Sequence, residues 1–430
     1  METTTDDLLA RRDKLLGPAY RLFYDQPVHL VRGEGVWLYD DAGRRYLDMY
    51  NNVPHVGHCH PRVVEAICSQ AGVLNTHTRY LHDNILECAE RLTGTLPQQV
   101  DTAMFCCTGS EANELALRIA RSATGRKGVI VADYAYHGNT QAIYEITTAD
   151  IPAQELPGYV VTVPAPDTYR GRYRGDDAAA KYAAHVHEAI ALLRNRGFEP
   201  AAFVIDTIIS SCGVVAPPPG YLAEVAAIVR EAGALFIADE VQPGFGRTGR
   251  NFWGFEADGL VPDIVTMGKP MGNGHPVSAV VARRELVDDF GRRGDYFNTF
   301  GGNPVSCAAA LAVLDVIEEE GLQQNALDVG QHMREGLQSL AAEHQCIGDV
   351  RGTGLFLALE LVSDREARTP DGDMARSVVN DLRDRGVLTG AIGPDRNILK
   401  LRPPMVISRA DADVMLDRLD DVLQSRSRYA

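Results

Sequence analysis

The chain has 430 residues, 45% hydrophobic and 23% charged, proportions that exclude a disordered or collagen-like protein. Its formal net charge of −16 argues against a general binder of nucleic acid or of anionic membranes, so an anionic substrate has to be drawn in by a local basic pocket. No apolar run approaches the ~20 residues a membrane span needs. Met1–Asp7 lacks a basic, apolar leader, and the eight cysteines form no CxxC pair, so reduced thiols and a cytoplasmic location are expected.

In chain order, strand-like stretches at Val36–Tyr39 and Arg45–Met49 flank the turn signal Asp40-Asp41-Ala42-Gly43. Ala112, Leu115, Ala116, Ile119 and Ala120 share one face of a helix over Ser110–Arg121, opened by the capping-box spacing of Thr108 and Glu111. Val129–Ala132, Ala201–Ile205, Ala234–Ala238 and Asp263–Met267 are short apolar strands, with a helical pattern at Tyr221–Glu231. Asp150–Lys181, rich in Pro, Gly and Tyr, reads as a long surface excursion. Beyond Glu320 come helices Gln323–Glu343 and Met374–Arg385, strands Gly354–Leu361 and Ile398–Arg402, and a closing helix Ala410–Gln424. This alternation predicts a large α/β domain over residues 60–320, with a mostly parallel sheet and helices on both faces. Residues 1–59 and 321–430 are expected to join in a smaller α+β domain. Such sheets carry their chemistry at the carboxyl ends of strands.

Gly244-Phe245-Gly246-Arg247-Thr248-Gly249 satisfies a dinucleotide-binding pattern after a strand, but Asp239 and Glu240 would repel a pyrophosphate and no helix opens after Gly249. His55, His58 and His60 beside Cys59 lack a second ligand cluster, so no metal is expected. Asp239 ends an apolar strand and, taken alone, is an ordinary polar terminus. Lys269 is less ordinary, standing at a strand end between Gly268 and Pro270, with Gly272 and Gly274 close by. A lysine of depressed pKa forms Schiff bases, and an acid that keeps a pyridine nitrogen protonated completes what pyridoxal 5'-phosphate (PLP) needs. Gly109 and Ser110 open a helix whose first N–H groups suit a phosphate, or else are a simple cap. Tyr136 and His137 offer an aromatic face at the same sheet edge, a position otherwise filled by packing.

Together, Gly109-Ser110-Glu111-Ala112-Asn113, Tyr136-His137-Gly138, Asp239-Glu240-Val241-Gln242 with Gly244–Arg247, and Gly268-Lys269 resemble the class III aminotransferases. The resemblance implies fold type I and PLP, with Lys269 as Schiff-base lysine, Asp239 as partner of the pyridine nitrogen, and Gly109 and Ser110 on the cofactor phosphate. Tyr136 and His137 would lie by the ring and Gln242 near its oxygen. Thr299 would reach the cofactor of a second subunit, implying a homodimer, alone or paired into a tetramer, with shared sites. Asp206-Thr207 replaces the usual Glu-Pro, so no role is carried to Asp206.

Longer stretches resemble the phospho-lyases of that class, which act on ethanolamine phosphate or 5-phosphohydroxylysine: Asn51–Pro61, Leu81–Ile85, Pro166–Arg174, Val261–Val277 and Tyr296–Cys307. The resemblance implies that the freed Lys269 amine removes a Cα proton. Phosphate then leaves Cβ, and phosphoethanolamine yields acetaldehyde, ammonia and phosphate. Where class III transaminases often place an Arg for the substrate carboxylate, this chain has Lys400, with Arg402 on the same strand face. Arg79, Lys400 and Arg402, with Tyr50 and Asn51 as neutral donors, are the expected grips on the substrate phosphate; Arg172 and Arg174 are expected further out. The alternative activities are an ω-aminotransferase using a keto acid or aldehyde acceptor, and elimination from 5-phosphohydroxylysine.

Overall fold

Seven strands form the central sheet of the computed structural model, which describes residues 4–427. In spatial order they are Thr102–Cys106, Ser278–Ala282, Ile264–Met267, Leu235–Asp239, Pro200–Asp206, Gly128–Ala132 and Val160–Val163. Ser278–Ala282 runs antiparallel to both its neighbours; from Ile264–Met267 outward the pairing is parallel. The expected mostly parallel sheet is therefore present. Its strands read as unbroken apolar runs because helices cover both faces. Alternate side chains feed opposite cores. Phe203 and Phe236, stacked at 5.7 Å between centroids, pack with the helices Ala178–Asn195 and Tyr221–Glu231, while Val204 and Ile237 pack with helix Gly109–Thr124.

Helix Gly109–Thr124 begins where the sequence placed it. Thr108 Oγ1 accepts from Glu111 N–H at 3.2 Å, the Glu111 carboxylate accepts from Thr108 N–H, and Gly125 ends the helix in the left-handed conformation.

The segment 150–181 is not a pure excursion. It supplies the edge strand Val160–Val163, parallel to Gly128–Ala132, before helix Ala178–Asn195 begins. A four-residue strand between Pro- and Gly-rich flanks is too short for its pattern to stand out.

The chain ends meet. Leu30–Glu34, Trp37–Asp40 and Arg45–Asp48 form an antiparallel meander, extended by Val387–Leu388 lying parallel to Arg45–Asp48. The C-terminal strand Phe356–Asp364 starts two residues later than predicted, because Gly354, at φ +55°, turns the hairpin from Ile347–Thr353; a Cβ there would lie 2.5 Å from Arg247 O. Ile398–Leu401 pairs with Phe356–Asp364, and beyond it Arg402 N–H donates to Met49 O at 2.7 Å. This bond draws Lys400 and Arg402 against the N-terminal segment and over the carboxyl ends of the central strands. Among the described residues no helix is long and apolar enough to cross a membrane.

Candidate active site

Asp206 and Asp239 end neighbouring parallel strands in register, which sets two carboxylates side by side at the sheet's carboxyl edge. Asp239 Oδ2 accepts from Asn113 Nδ2 at 2.9 Å and from His137 Nδ1 at 2.8 Å, and its Oδ1 accepts from Val241 N–H. Asn113 comes from the capped helix and is itself held, with Oδ1 accepting from Thr266 Oγ1 at 2.6 Å and Nδ2 also donating to His137 O at 2.7 Å. Asp239 is thereby locked in place by two strands, a helix and a loop. His137 Nε2 is buried beside it without a hydrogen-bond partner among the described residues.

A cavity of ≈ 310 Å³ opens over this edge, lined among others by Gly109, Ser110, Tyr136, His137, Asp239, Gln242 and Lys269. Its walls require glycine. A Cβ on Gly109 would come within 2.9 Å of Val241 Cγ1, and one on Gly138, at φ +142°, within 2.5 Å of Ser110 Oγ. The first N–H groups of a helix have no intrahelical acceptor, so those of Gly109 and Ser110 present an anion site to this cavity. Lys269 is exposed by surface area only because its side chain faces the cavity; protein surrounds it closely enough that burial, and then the nearby Arg402 charge, lower its amine below the usual lysine range. The orphaned His137 Nε2, the glycine cradle, the helix start and the Lys269–Asp239 pair fit the needs of PLP. Gly109 and Ser110 would hold its phosphate, Asp239 its ring nitrogen and Lys269 its carbonyl carbon.

A second cavity of ≈ 830 Å³ shares Tyr136, Gln242 and Lys269 with the first and runs out past Tyr50, Lys400 and Arg402 to Arg21, Arg376 and Arg396. Lys400 and Arg402 are both 4% exposed. Lys400 Nζ donates to Gln242 Oε1 at 3.1 Å, Arg402 Nη1 donates to the same oxygen, and Arg402 also donates to Tyr50 O at 3.3 Å. Gln242 in turn donates to Ser210 Oγ, and Ser210 donates to Asp206. Among the described residues no carboxylate forms an ion pair with either side chain. Burial, and second the Arg402 charge, push the Lys400 amine well below its usual range; burial also lowers the Arg402 guanidinium to about 10. Burial and the neighbouring Asp239 raise the Asp206 carboxyl.

The predicted residues sort clearly. Gly109, Ser110, Tyr136, His137, Asp239, Gln242 and Lys269 line the first cavity, while Tyr50, Lys400 and Arg402 line the second. Asn51 does not: its amide is committed to Asp48 Oδ2 at 3.0 Å. Arg79 also lines neither of these two cavities and is exposed, with its guanidinium 4.0 Å from the Phe297 ring centroid. Thr299, in the same exposed region, lines neither cavity, and Arg172 and Arg174 are exposed outside both. The histidines do not converge: His55 meets Phe245 O and Arg247, His58 meets Asp48, and His60 meets Glu320. Nor does Gly244–Gly249 cradle a ligand. Arg247, fully buried, donates to Leu355 O at 3.0 Å and Pro403 O at 2.8 Å, so this loop anchors the C-terminal segment. Asp206 and Ser210 were missed. Their signal was a strand-end acid, but only the register with Asp239 reveals it.

The profile of the family described as Aminotransferase class-III matches residues 23–423. The chain is 46% identical to the Drosophila melanogaster protein named Alanine--glyoxylate aminotransferase 2-like, over 96% of this chain and 87% of that one. It is 40% identical to Ethanolamine-phosphate phospho-lyase homolog 1 of Caenorhabditis elegans, covering 98% and 94% respectively. A phospholyase from Arthrobacter, solved in complex with phosphoethanolamine, superposes with a TM-score of 0.94 at 45% identity, covering 97% of this chain and all of that one (100%). A PLP-bound amine transaminase from an uncultivated Pseudomonas species superposes with a TM-score of 0.86 at 31% identity, covering 93% and 95%.

Proposed function

The chain belongs to the class III aminotransferase family and uses PLP, and from that premise we propose that it is a phospho-lyase. Its reaction is elimination of phosphate from O-phosphoethanolamine, giving acetaldehyde, ammonia and inorganic phosphate. One observation carries this reading: two buried basic side chains, Lys400 and Arg402, share a neutral amide acceptor next to Lys269, and among the described residues no carboxylate is ion-paired to either. Burial without an ion-paired partner disfavours the charged forms of these groups, and a dianionic phosphate is a ligand that restores and pairs both charges. The phosphoethanolamine complex of the Arthrobacter phospholyase supports the same substrate class.

PLP, when bound, supplies the electron sink that makes the substrate's Cα–H bond acidic. The protein's own groups do the rest. Lys269, with its lowered amine pKa, takes and holds the Cα proton. Asp239, immobilised by Asn113 and His137, is the carboxylate that would pair with the ring nitrogen. Lys400 and Arg402 neutralise the phosphate as the Cβ–O electron pair departs with it. The vinylamine left behind hydrolyses to acetaldehyde and ammonia.

The second reading, an ω-aminotransferase, is favoured by the name of the Drosophila relative at 46% identity. Phosphate release without any amino acceptor separates the two, and the same assay with 5-phosphohydroxylysine tests the longer substrate.

The working unit proposed is a homodimer with shared sites. Leu81, Tyr80, Val73 and Phe300 are exposed around Arg79 and Thr299, a large apolar surface of the kind that a second copy covers. Covering it would bring the partner's Thr299, and with it Arg79, toward the cavity. The eight free cysteines suit a reducing compartment such as the cytoplasm.

A further inference from the structure

The stretch Pro166–Arg174 resembles the phospho-lyases, yet none of its residues lines either cavity. Its contacts lead elsewhere. Asp167 Oδ1 accepts from the N–H groups of Tyr169 at 2.7 Å and Arg170 at 3.2 Å, closing a tight turn, and Tyr182 Oη donates to Asp167 O at 2.8 Å. Gly171 is obligatory there, since a Cβ would lie 2.0 Å from Asp167 O. The turn aims Arg170 across to the C-terminal part of the chain. There its Nε pairs with Glu360, which is fully buried and also holds Arg351 Nη1 at 2.6 Å, and its Nη1 pairs with Asp395 Oδ2 at 2.8 Å.

Asp395 sits in the tight turn Gly393-Pro394-Asp395-Arg396, closed by Arg396 N–H donating to Gly393 O at 3.1 Å. The turn is fastened at its other end by Tyr134 Oη donating to Gly393 O at 3.1 Å, and behind it by Asn397 Nδ2 donating to Glu360 Oε1 at 3.2 Å. Gly393, Asp395 and Arg396 all line the larger cavity that contains Lys269, Lys400 and Arg402. Arg396 itself is exposed, holds φ +53°, which a non-glycine residue rarely adopts, and has no ion-pair partner among the described residues. A left-handed arginine persists only where its surroundings over-determine it. Here Arg170 and Tyr134 do so. Arg170 also occupies the carboxylate of Asp395, the acid adjacent to Arg396, and so leaves the Arg396 charge uncompensated.

We propose that Arg396 is an outer phosphate-recruiting residue of the substrate cavity, and that Arg170 is the positioning residue that holds its turn in place and keeps its charge free. The proposal rests on the phospho-lyase reading and names a residue outside the buried Lys400–Arg402 pair. An exposed cation at a cavity mouth acts on encounter more than on the bond-breaking step. Its loss therefore falls on KM and on the salt dependence, and kcat stays near wild type.

The test uses the holoenzyme and two readouts. Calorimetric binding of inorganic phosphate to wild type, Arg396→Ala and Arg396→Lys should show weakening by about three- to tenfold in the alanine variant and partial recovery in the lysine one. Phosphate release from phosphoethanolamine should show a matching rise in KM, with a flatter decline of kcat/KM as salt is added. Arg170→Met should reproduce the KM rise, and the double variant Arg170→Met/Arg396→Ala should be no worse than Arg396→Ala alone. If Arg170→Met fails to fold, the Arg396 series still decides. Equal phosphate affinity and equal salt dependence in wild type and Arg396→Ala overturn the proposal, as does a wild type that does not bind phosphate. The phospho-lyase reading fails separately, on the wild type alone, if no phosphate is released from any phosphorylated amine.

Discussion

Lys400 and Arg402 converge on a single oxygen, Oε1 of Gln242, one residue's amide neutralising neither charge. Lys400 is on strand Ile398–Leu401 and Arg402 is the residue just beyond it; their side chains reach the same side, and each is buried to 4% exposure. Such an arrangement costs stability unless an anion completes it, and it stands beside Lys269, whose neutral amine the proposed reaction needs.

Removing either cation should cost phosphate recognition. Lys400→Ala and Arg402→Ala each lose a charge-assisted hydrogen bond, on the order of 1.5–3 kcal/mol, or roughly ten- to a hundredfold in kcat/KM for phosphoethanolamine. Arg79→Ala should act only if the partner's copy reaches the site. Steady-state phosphate release on the three variants checks this, and wild-type efficiency in all three would place the phosphate elsewhere.

Arg402 also sets the pH profile. Its charge is the second cause, after burial, of the lowered Lys269 pKa. A general base works when unprotonated, so activity rises with pH through the Lys269 pKa. Arg402→Gln removes a positive neighbour and raises that pKa, so the rising limb of the kcat profile should move to higher pH. An unmoved or lowered limb contradicts the coupling.

Lys269→Ala should abolish turnover. Borohydride reduction of the wild type should fix PLP to the chain, with peptide mass mapping placing it on Lys269; the variant should retain no fixed PLP. A variant with unimpaired activity contradicts the role.

A charge at the proposed dimer surface should separate the subunits. Leu81, 99% exposed in the single chain, tolerates Asp in a monomer but not in a dimer interface. Leu81→Asp should sediment as a monomer and lose PLP on dilution, whereas an active monomeric wild type would remove the shared-site proposal.

Much of this architecture was readable beforehand, for physical reasons. The 3.6-residue spacing and capping box of helix Gly109–Thr124 are local, so its start at the cofactor cavity followed directly. Lys269 stands out as a charge at an apolar strand end among glycines, whereas Asp239, an ordinary strand terminus taken alone, gains its role only with the family resemblance. What depended on register was invisible: Asp206 faces Asp239 only because two strands pair without offset, and Ser210 links it to Gln242 through the intervening loop. Asn51 lines neither cavity and its amide bonds the buried carboxylate of Asp48, a contact within a loop that no periodicity predicts. The strand Val160–Val163 was hidden by its proline-rich surroundings, and the anchoring role of the buried Arg247, which donates to Pro403 O, has no local signal in the glycine-rich loop that carries it.

The most direct test of the central claim is inorganic phosphate release by the purified holoenzyme from phosphoethanolamine, 5-phosphohydroxylysine and unphosphorylated amines, with no amino acceptor present. Sustained, many-turnover release from phosphoethanolamine, with acetaldehyde and ammonia in equal amounts, is the expected result. No release without an acceptor, together with amino transfer to pyruvate when one is added, would contradict it.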